Sequence, residues 1–203
     1  MLQPIALADA ELMFDPQFLA LEEAADAFEA LHREVPWEVH RIRLFGREVV
    51  SPRRSCWFGD PDAAYTYSGM HFPPRPWTPA VARLRERIAA ACDCPFNSVL
   101  ANLYRDGRDA MGWHSDDEPE LGPAPVIASL SLGVARGFRL RHRRDRVRTL
   151  KLELTAGSLL LMRGATQRNY RHAVPRTARA VGARINLTFR TVRAKAPHAP
   201  AAA

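Results

Sequence analysis

Two kinds of hydrophobic periodicity divide this chain. Residues 16–34, "PQFLALEEAADAFEALHRE", set Phe18, Leu21, Ala25, Phe28 and Leu31 at the spacing of one helix face. Asp15 is placed to cap the free N–H groups and Pro16 suits a first turn, so the pattern predicts a helix starting there. Residues 79–92 repeat the arrangement, with Thr78 as cap, Pro79 opening the helix, and Val81, Leu84, Ile88 and Ala91 as the stripe. Both helices read as core-packing elements. From about residue 97 the period shortens to two. "VIASLSLG", "FRLRH", "TLKLEL", "SLLLM" and "RINLTFRTV" are β-rich runs separated by Gly, Pro or charged turns. Many short strands behind leading helices predict an α+β chain with an antiparallel sandwich or jelly roll at its core. No repeat is visible, and 203 residues suffice for one domain, expected over 1–193. The last stretch, "AKAPHAPAAA" (194–203), has nothing to bury and is expected to be a disordered tail.

The parity of the last strand carries chemical information. In "RINLTFR", Ile185, Leu187 and Phe189 alternate with Arg184, Asn186, Thr188 and Arg190, so one face is apolar and the other polar. The polar face looks either into water or into a cavity. In a cavity, two guanidiniums require anions, and a small dicarboxylate would satisfy both through bidentate contacts. Asn102 and Tyr104 alternate in the same way and are either buried structural groups or hydrogen-bonding partners for an organic acid.

Composition narrows the partners. Apolar residues are 47% and charged residues 25%, with no run of about 18 apolar positions and no basic segment leading an apolar one at the start. The expectation is a cytoplasmic protein with neither membrane span nor signal peptide, and a monomer by default. The cysteines, Cys56, Cys92 and Cys94, are odd in number and lack zinc-site spacing, which suits ordinary thiols in a reducing compartment. A net charge of +7 favours a polyanionic partner, although an Arg- and Ala-rich composition alone also gives a basic chain.

Within "WHSDDE" (113–118), His114 and Asp116 are two apart and would share a strand face. Imidazole plus carboxylate is two thirds of the facial triad that holds non-haem Fe(II) and leaves positions open. The spacing alone is a weak signal, and a third ligand is needed. His172 in "YRHAVP" follows an apolar strand and is the best-placed histidine.

Taken in order, "NLYRDGRDAMGWHSDDEPEL", "PVIASLSLG", "GSLLLM", "YRHAVP" and "RINLTFR" resemble the AlkB family of Fe(II)/2-oxoglutarate-dependent dioxygenases, in the branch of the animal nuclear DNA-repair homologues. The resemblance runs from about residue 41 to 192. It implies a double-stranded β-helix, a jelly-roll variant, with a helical lead-in over 1–40, a nucleotide-recognition region over 41–101 and a catalytic core over 102–193. It implies that His114, Asp116 and His172 bind Fe(II). Arg184 and Arg190 would pair with the 2-oxoglutarate carboxylates, and Asn102, Tyr104, Asn186 and Thr188 would surround that cosubstrate. With O2, such a site hydroxylates N-methyl groups of 1-methyladenine or 3-methylcytosine, giving formaldehyde, succinate and the repaired base. Alkylated DNA is the implied partner. The same chemistry on methylated RNA, a non-catalytic nucleic-acid-binding module and a dioxygenase acting on protein side chains are the alternatives.

Substrate contacts follow from the same likeness. Such lesions block pairing and flip out readily, so the pocket needs aromatic walls and polar edge readers. "YTYSG" offers Tyr65, Tyr67 and Ser68, and Asp117 would accept from an exocyclic amino group. Leu44, Phe45 and Gly46, between Arg41, Arg43 and Arg47, form either a wedge for the base stack or a buried turn. Residues 136–151 hold eight Arg or Lys against one Asp, a candidate phosphate-contacting hairpin in which Arg143, Arg144 and Arg146 stand out, or else a solvated one.

Overall fold

The computed structural model describes residues 1–44, 47–63, 65–67, 70–72 and 74–193. Strands β1 (Gln3–Ile5) and β2 (Glu11–Asp15) precede helix α1 (Leu21–Glu34). Strands β3 (Arg41–Leu44), β4 (Arg47–Val50), β5 (Arg54–Gly59), β6 (Tyr65–Tyr67) and β7 (Met70–Phe72) lead to α2 (Pro79–Cys92). Then come β8 (Ser98–Tyr104), β9 (Met111–His114), β10 (Ile127–Gly133), β11 (Arg136–His142), β12 (Thr149–Leu154) and β13 (Leu159–Arg163). The short helix α3 (Thr166–Asn169), β14 (Tyr170–Val174) and β15 (Arg184–Arg190) complete the order.

Two antiparallel sheets make the jelly roll. The major sheet runs β1-β2-β13-β10-β15-β8-β5, and the minor one β12-β11-β14-β9. The major sheet is buried on both faces, for different reasons. Its outer face presents Val99, Leu130, Leu161, Ile185, Leu187 and Phe189 to the buried stripes of the helices, Ala24 and Leu31 of α1 and Val81, Leu84 and Ile88 of α2. Its inner face looks at the minor sheet, and Leu12, Ile127, Leu160 and Met162 cluster there with Phe138, Leu140 and Leu154. Between β10 and α1, Gly133 holds φ near 80°; a Cβ there would lie 2.6 Å from the Ala183 carbonyl and 2.8 Å from the Phe28 ring.

Helix α2 starts as expected, with Thr78 Oγ1 accepting from the Val81 N–H at 3.3 Å, but Cys92 rather than Ala91 completes its buried stripe. Helix α1 starts later than the pattern predicts. Asp15 ends β2 instead of capping, because its carboxylate accepts from the Gln17 N–H at 3.0 Å and from the terminal amine of Met1. Leu21, assigned to the stripe, is 72% exposed. The lead-in over 1–40 is also not purely helical. Leu12 and Phe14 join the inner cluster while Met13 packs with the helix-side core, and β2 pairs along β13, extending the major sheet. The expected boundary at residue 102 cuts β8, which pairs with β5 on one side and β15 on the other, so the core sheet takes in β5 as well. Among the described residues no helix is long and apolar enough to cross a membrane. The tail (194–203), Phe45, Gly46 and Ser68 lie outside the described residues; Leu44 ends β3, and Tyr65 and Tyr67 lie on β6.

Candidate active site

The register of the sheets assembles the polar side chains. On the major sheet Tyr104 stands opposite Arg184, and Asn102 opposite Asn186. On its other edge β15 meets β10, where Ser131 faces Asn186 and Ser129 faces Thr188. The polar face of β15 is therefore continuous with that of β8 and β10, and it lies inside the roll. Across from it, β14 and β9 pair so that His172 lies directly opposite His114.

The two imidazole rings sit edge to face with centroids 4.2 Å apart. Asp116 completes the cluster, and one ligand atom from each of His114, Asp116 and His172 lies within 4.8 Å of the others. Asp116 arrives differently from the expectation. Strand β9 ends at His114, so the two do not share a strand face; Asp116 lies in the following loop. That loop is held by Ser115 Oγ, which donates to the Tyr170 carbonyl at 2.8 Å, and by the Asp116 N–H, which donates to Gln167 Oε1 at 3.0 Å. Arg190 Nη2 donates to Asp116 Oδ1 at 2.7 Å, leaving Oδ2 on the histidine side, 3.9 Å from His172 Nε2.

Electrostatics prepare this set for a cation. Burial alone would raise the Asp116 carboxyl, but the groups around it, led by the Arg190 guanidinium, outweigh burial and hold it below the usual carboxylate range. Burial, reinforced by the neighbouring His114, brings His172 down to about 3, and burial also lowers His114. Both rings are neutral at physiological pH, with lone pairs available. His114 Nδ1 is 2.8 Å from the Gly112 carbonyl oxygen, a contact that places the proton there and leaves Nε2 for a ligand bond. Two neutral imidazoles and one carboxylate, with space beside them, fit a divalent iron.

That space is a cavity of about 50 Å³ that opens to solvent. Asn102, Tyr104, Asn186, Thr188 and Arg190 line it together with the three ligand candidates. Several of these groups are already tied. Asn186 Nδ2 donates to Ser129 Oγ at 2.8 Å, and Thr188 Oγ1 donates to Asn186 Oδ1 at 2.9 Å. Arg184 does not line the cavity but lies behind it, 1% exposed and 5.1 Å from the Tyr104 ring centroid. One of its nitrogens reaches Ser131 Oγ at 2.9 Å, while Nε and Nη1 are buried without a partner among the described residues. Burial pulls this guanidinium below its usual value. Unpaired buried donors on a cation are costly, and a carboxylate-bearing ligand would satisfy them.

Asp117 stands apart. Its side chain is 52% exposed and pairs with Arg143 outside the cavity lining. The basic run also divides. Arg136 is no surface group: it is 3% exposed and donates to the carbonyls of Asp106, Asp109 and Pro175. Arg148 pairs with Asp9 and Asp145, so neither residue is left for phosphates. Burial pushes the thiols of Cys56 and Cys92 up to about 12, which leaves them inert at neutral pH.

Sequence reasoning missed two groups. Arg53 lines the cavity and donates from Nε to Asn102 Oδ1 at 2.6 Å. Gln167, 1% exposed on α3, positions Asp116. Both act on partners about fifty positions away, and no local pattern marks them. Glu118, the last acid of the 113–118 stretch, also lines the cavity.

Comparison with known proteins agrees with this architecture. Residues 11–190 match the 2OG-Fe(II) oxygenase superfamily. Alpha-ketoglutarate-dependent dioxygenase alkB homolog 3 of Bos taurus is 42% identical over 186 residues, covering 87% of this chain and 64% of the relative. DNA oxidative demethylase ALKBH2 of Mus musculus is 38% identical over 180 residues, covering 84% and 75%. The chain thus spans a little under two thirds of the alkB homolog 3 relatives. The solved structure of OsALKBH1 superposes with a TM-score of 0.68 at 16% identity, covering 94% of this chain and 100% of that one, and shows the shared fold. The chain belongs to the 2OG-Fe(II) oxygenase superfamily, among its AlkB-type dioxygenases, which work with Fe(II), 2-oxoglutarate and O2.

Proposed function

We propose that this protein oxidatively demethylates N-alkylated bases, 1-methyladenine and 3-methylcytosine, in DNA. The observation that carries the reading is the His114–Asp116–His172 cluster, with Asp116 and His172 buried and His114 half-buried, beside a cavity lined by Arg53 and Arg190 and backed by Arg184. When bound, Fe(II) with 2-oxoglutarate and O2 supplies the oxidation: the cosubstrate loses CO2 to become succinate, and one oxygen atom enters a methyl C–H bond of the base. The hydroxymethyl group then leaves as formaldehyde and the ring nitrogen is restored.

The chain's own residues hold the participants. His114, Asp116 and His172 bind the metal, with Arg190 and Gln167 fixing the carboxylate. Arg184, through Nε and Nη1, and Arg190 pair with the two 2-oxoglutarate carboxylates, while Asn102, Tyr104, Asn186 and Thr188 shape the space between. Arg184 and Arg190 are buried between the paired sheets, which strengthens their ionic contacts. Residues 41–101 form the nucleotide-recognition region, with Tyr65, Tyr67 and Ser68 as pocket wall and edge readers and Leu44-Phe45-Gly46 as wedge. Asp117 reads the base and exchanges its Arg143 contact for an exocyclic amino group. Arg143, Arg144 and Arg146 touch phosphates. The free thiols fit a reducing cytoplasm, and the chain works as a monomer.

The test is direct. The protein is incubated with Fe(II), 2-oxoglutarate, ascorbate and an oligonucleotide carrying 1-methyladenine, and the oligonucleotide is weighed. Loss of one methylene, dependent on 2-oxoglutarate, is the expected result. Binding without mass loss would overturn the enzymatic reading, and turnover confined to the same lesion in RNA would overturn the choice of DNA.

A further inference from the structure

Among the described residues no element covers the outer face of the minor sheet, and the charge of this face is unusual. Register places Arg139 of β11 opposite Lys151 of β12, and Arg141 of β11 opposite Arg171 of β14. Two like-charged pairs thus stand directly across neighbouring strands, an arrangement that destabilises a sheet by itself. Arg139, Lys151 and Arg171 are exposed, and none of the four cations has an acidic partner among the described residues. The acid among the strand residues of this face, Glu153, lies opposite Gly137, one step from the Arg139–Lys151 pair, and forms no ion pair with either; Arg141 and Arg171 are farther away. Arg141 instead lies over the ring of Trp113, 4.4 Å from its centroid, and Trp113 is 40% exposed. This face is the reverse side of the strands whose inner side chains are His114 and His172, and it adjoins Arg143 near Asp117.

We propose that this face is a second nucleic-acid surface, which holds the strand flanking the base in the cavity. Arg139, Arg141, Arg171 and Lys151 neutralise successive phosphates, and the Arg141–Trp113 stack offers a flat surface to a base. The like-charge pairs are then relieved by the phosphates they bind. An acidic protein segment would answer the charge but not the exposed indole of Trp113, whose plane matches a base. The proposal rests on the nucleic-acid reading above and adds where the flanking strand runs.

The test uses the full chain and the double variant Arg139→Gln/Lys151→Gln, both sites exposed and on the face of the sheet opposite to the metal cluster. Affinity for a long single-stranded oligonucleotide is measured against salt, alongside turnover of a short one that carries little beyond the lesion. Two lost phosphate contacts should make the slope of log affinity against log salt shallower by about 1.4 and weaken binding roughly tenfold at physiological salt. The melting temperature should hold or rise, since a repulsive pair is removed, and short-substrate turnover should not change. An unchanged slope for the long strand overturns the proposal, and so does equal retention of both proteins on anionic phospholipid vesicles with no binding of the oligonucleotide. Failure of short-substrate turnover in the parent protein would instead overturn the demethylase reading while leaving the slope comparison to decide this one.

Discussion

The two faces of the major sheet are built on the same backbone ladder and do opposite things. On the outer face Ile185, Leu187 and Phe189 bury apolar surface against helices, and their removal from water stabilises the fold. On the inner face Arg184, Asn186, Thr188 and Arg190 are just as buried, and burial of such groups costs free energy unless each is matched. Serines of β10, the tied Asn186–Thr188 pair and the Arg190–Asp116 contact meet most of that cost; Arg184 is left with unmatched donors. One face therefore carries the stability and the other carries the capacity to bind anions and a metal.

The largest expected contrast comes from one substitution on each side of the roll. His172→Ala should abolish turnover and remove the visible absorption that Co(II) gives in the site, while leaving thermal unfolding nearly unchanged; retained activity would refute the ligand assignment. Leu187→Ala, on the outer face, should cost about 2–5 kcal/mol. At this chain length that lowers the melting temperature by about 4–20 °C, with kcat intact well below the transition. Arg184→Met sharpens the comparison further. It should raise the KM for 2-oxoglutarate about 100-fold through loss of two charge-assisted bonds, while the apo protein becomes no less stable because buried unmatched donors are gone. A fall in apo stability would show that Arg184 is structural. Gln167→Leu lies next in size: losing the acceptor for the Asp116 N–H should weaken metal affinity about 10–100-fold, read by Co(II) titration, with the unfolding curve close to the parent.

How much of this was legible depends on the range of the interactions. Alternation in β15 separated its two faces correctly, because strand parity is a local rule. It did not say whether the polar face met water or a cavity, since that depends on a minor sheet closing over it. His114 and Asp116 came from a spacing argument whose geometry was wrong, as β9 ends at His114 and a loop delivers the carboxylate. The spacing still served because loop and strand both allow side chains two apart to converge. Asp15 misled for a local reason: a capping-type residue beside Pro16 was already engaged by Gln17 and the chain terminus. Strand β2 shows its alternation only against β13, far along the chain. Arg53 and Gln167 were invisible for the same reason, as their roles exist through partners brought close by folding.

Asp117 gives the smallest expected effect and the most specific one, because it sits between the two regimes: beside the metal ligand in sequence, yet exposed and outside the cavity lining. An exposed ion pair such as Asp117–Arg143 contributes no more than about 1 kcal/mol to stability. Asp117→Ala should therefore leave the melting temperature and the Co(II) spectrum unchanged. If the carboxylate turns from Arg143 to the exocyclic amino group of the flipped base, one charge-assisted hydrogen bond is lost, about 1.5–3 kcal/mol, or roughly 10- to 100-fold in kcat/KM on methylated DNA. The conservative Asp117→Asn keeps an acceptor oxygen without the charge and should recover part of that loss. Unchanged kcat/KM in both variants would make Asp117 a surface partner of Arg143 alone, and a lost Co(II) spectrum would move it into the metal site in place of Asp116.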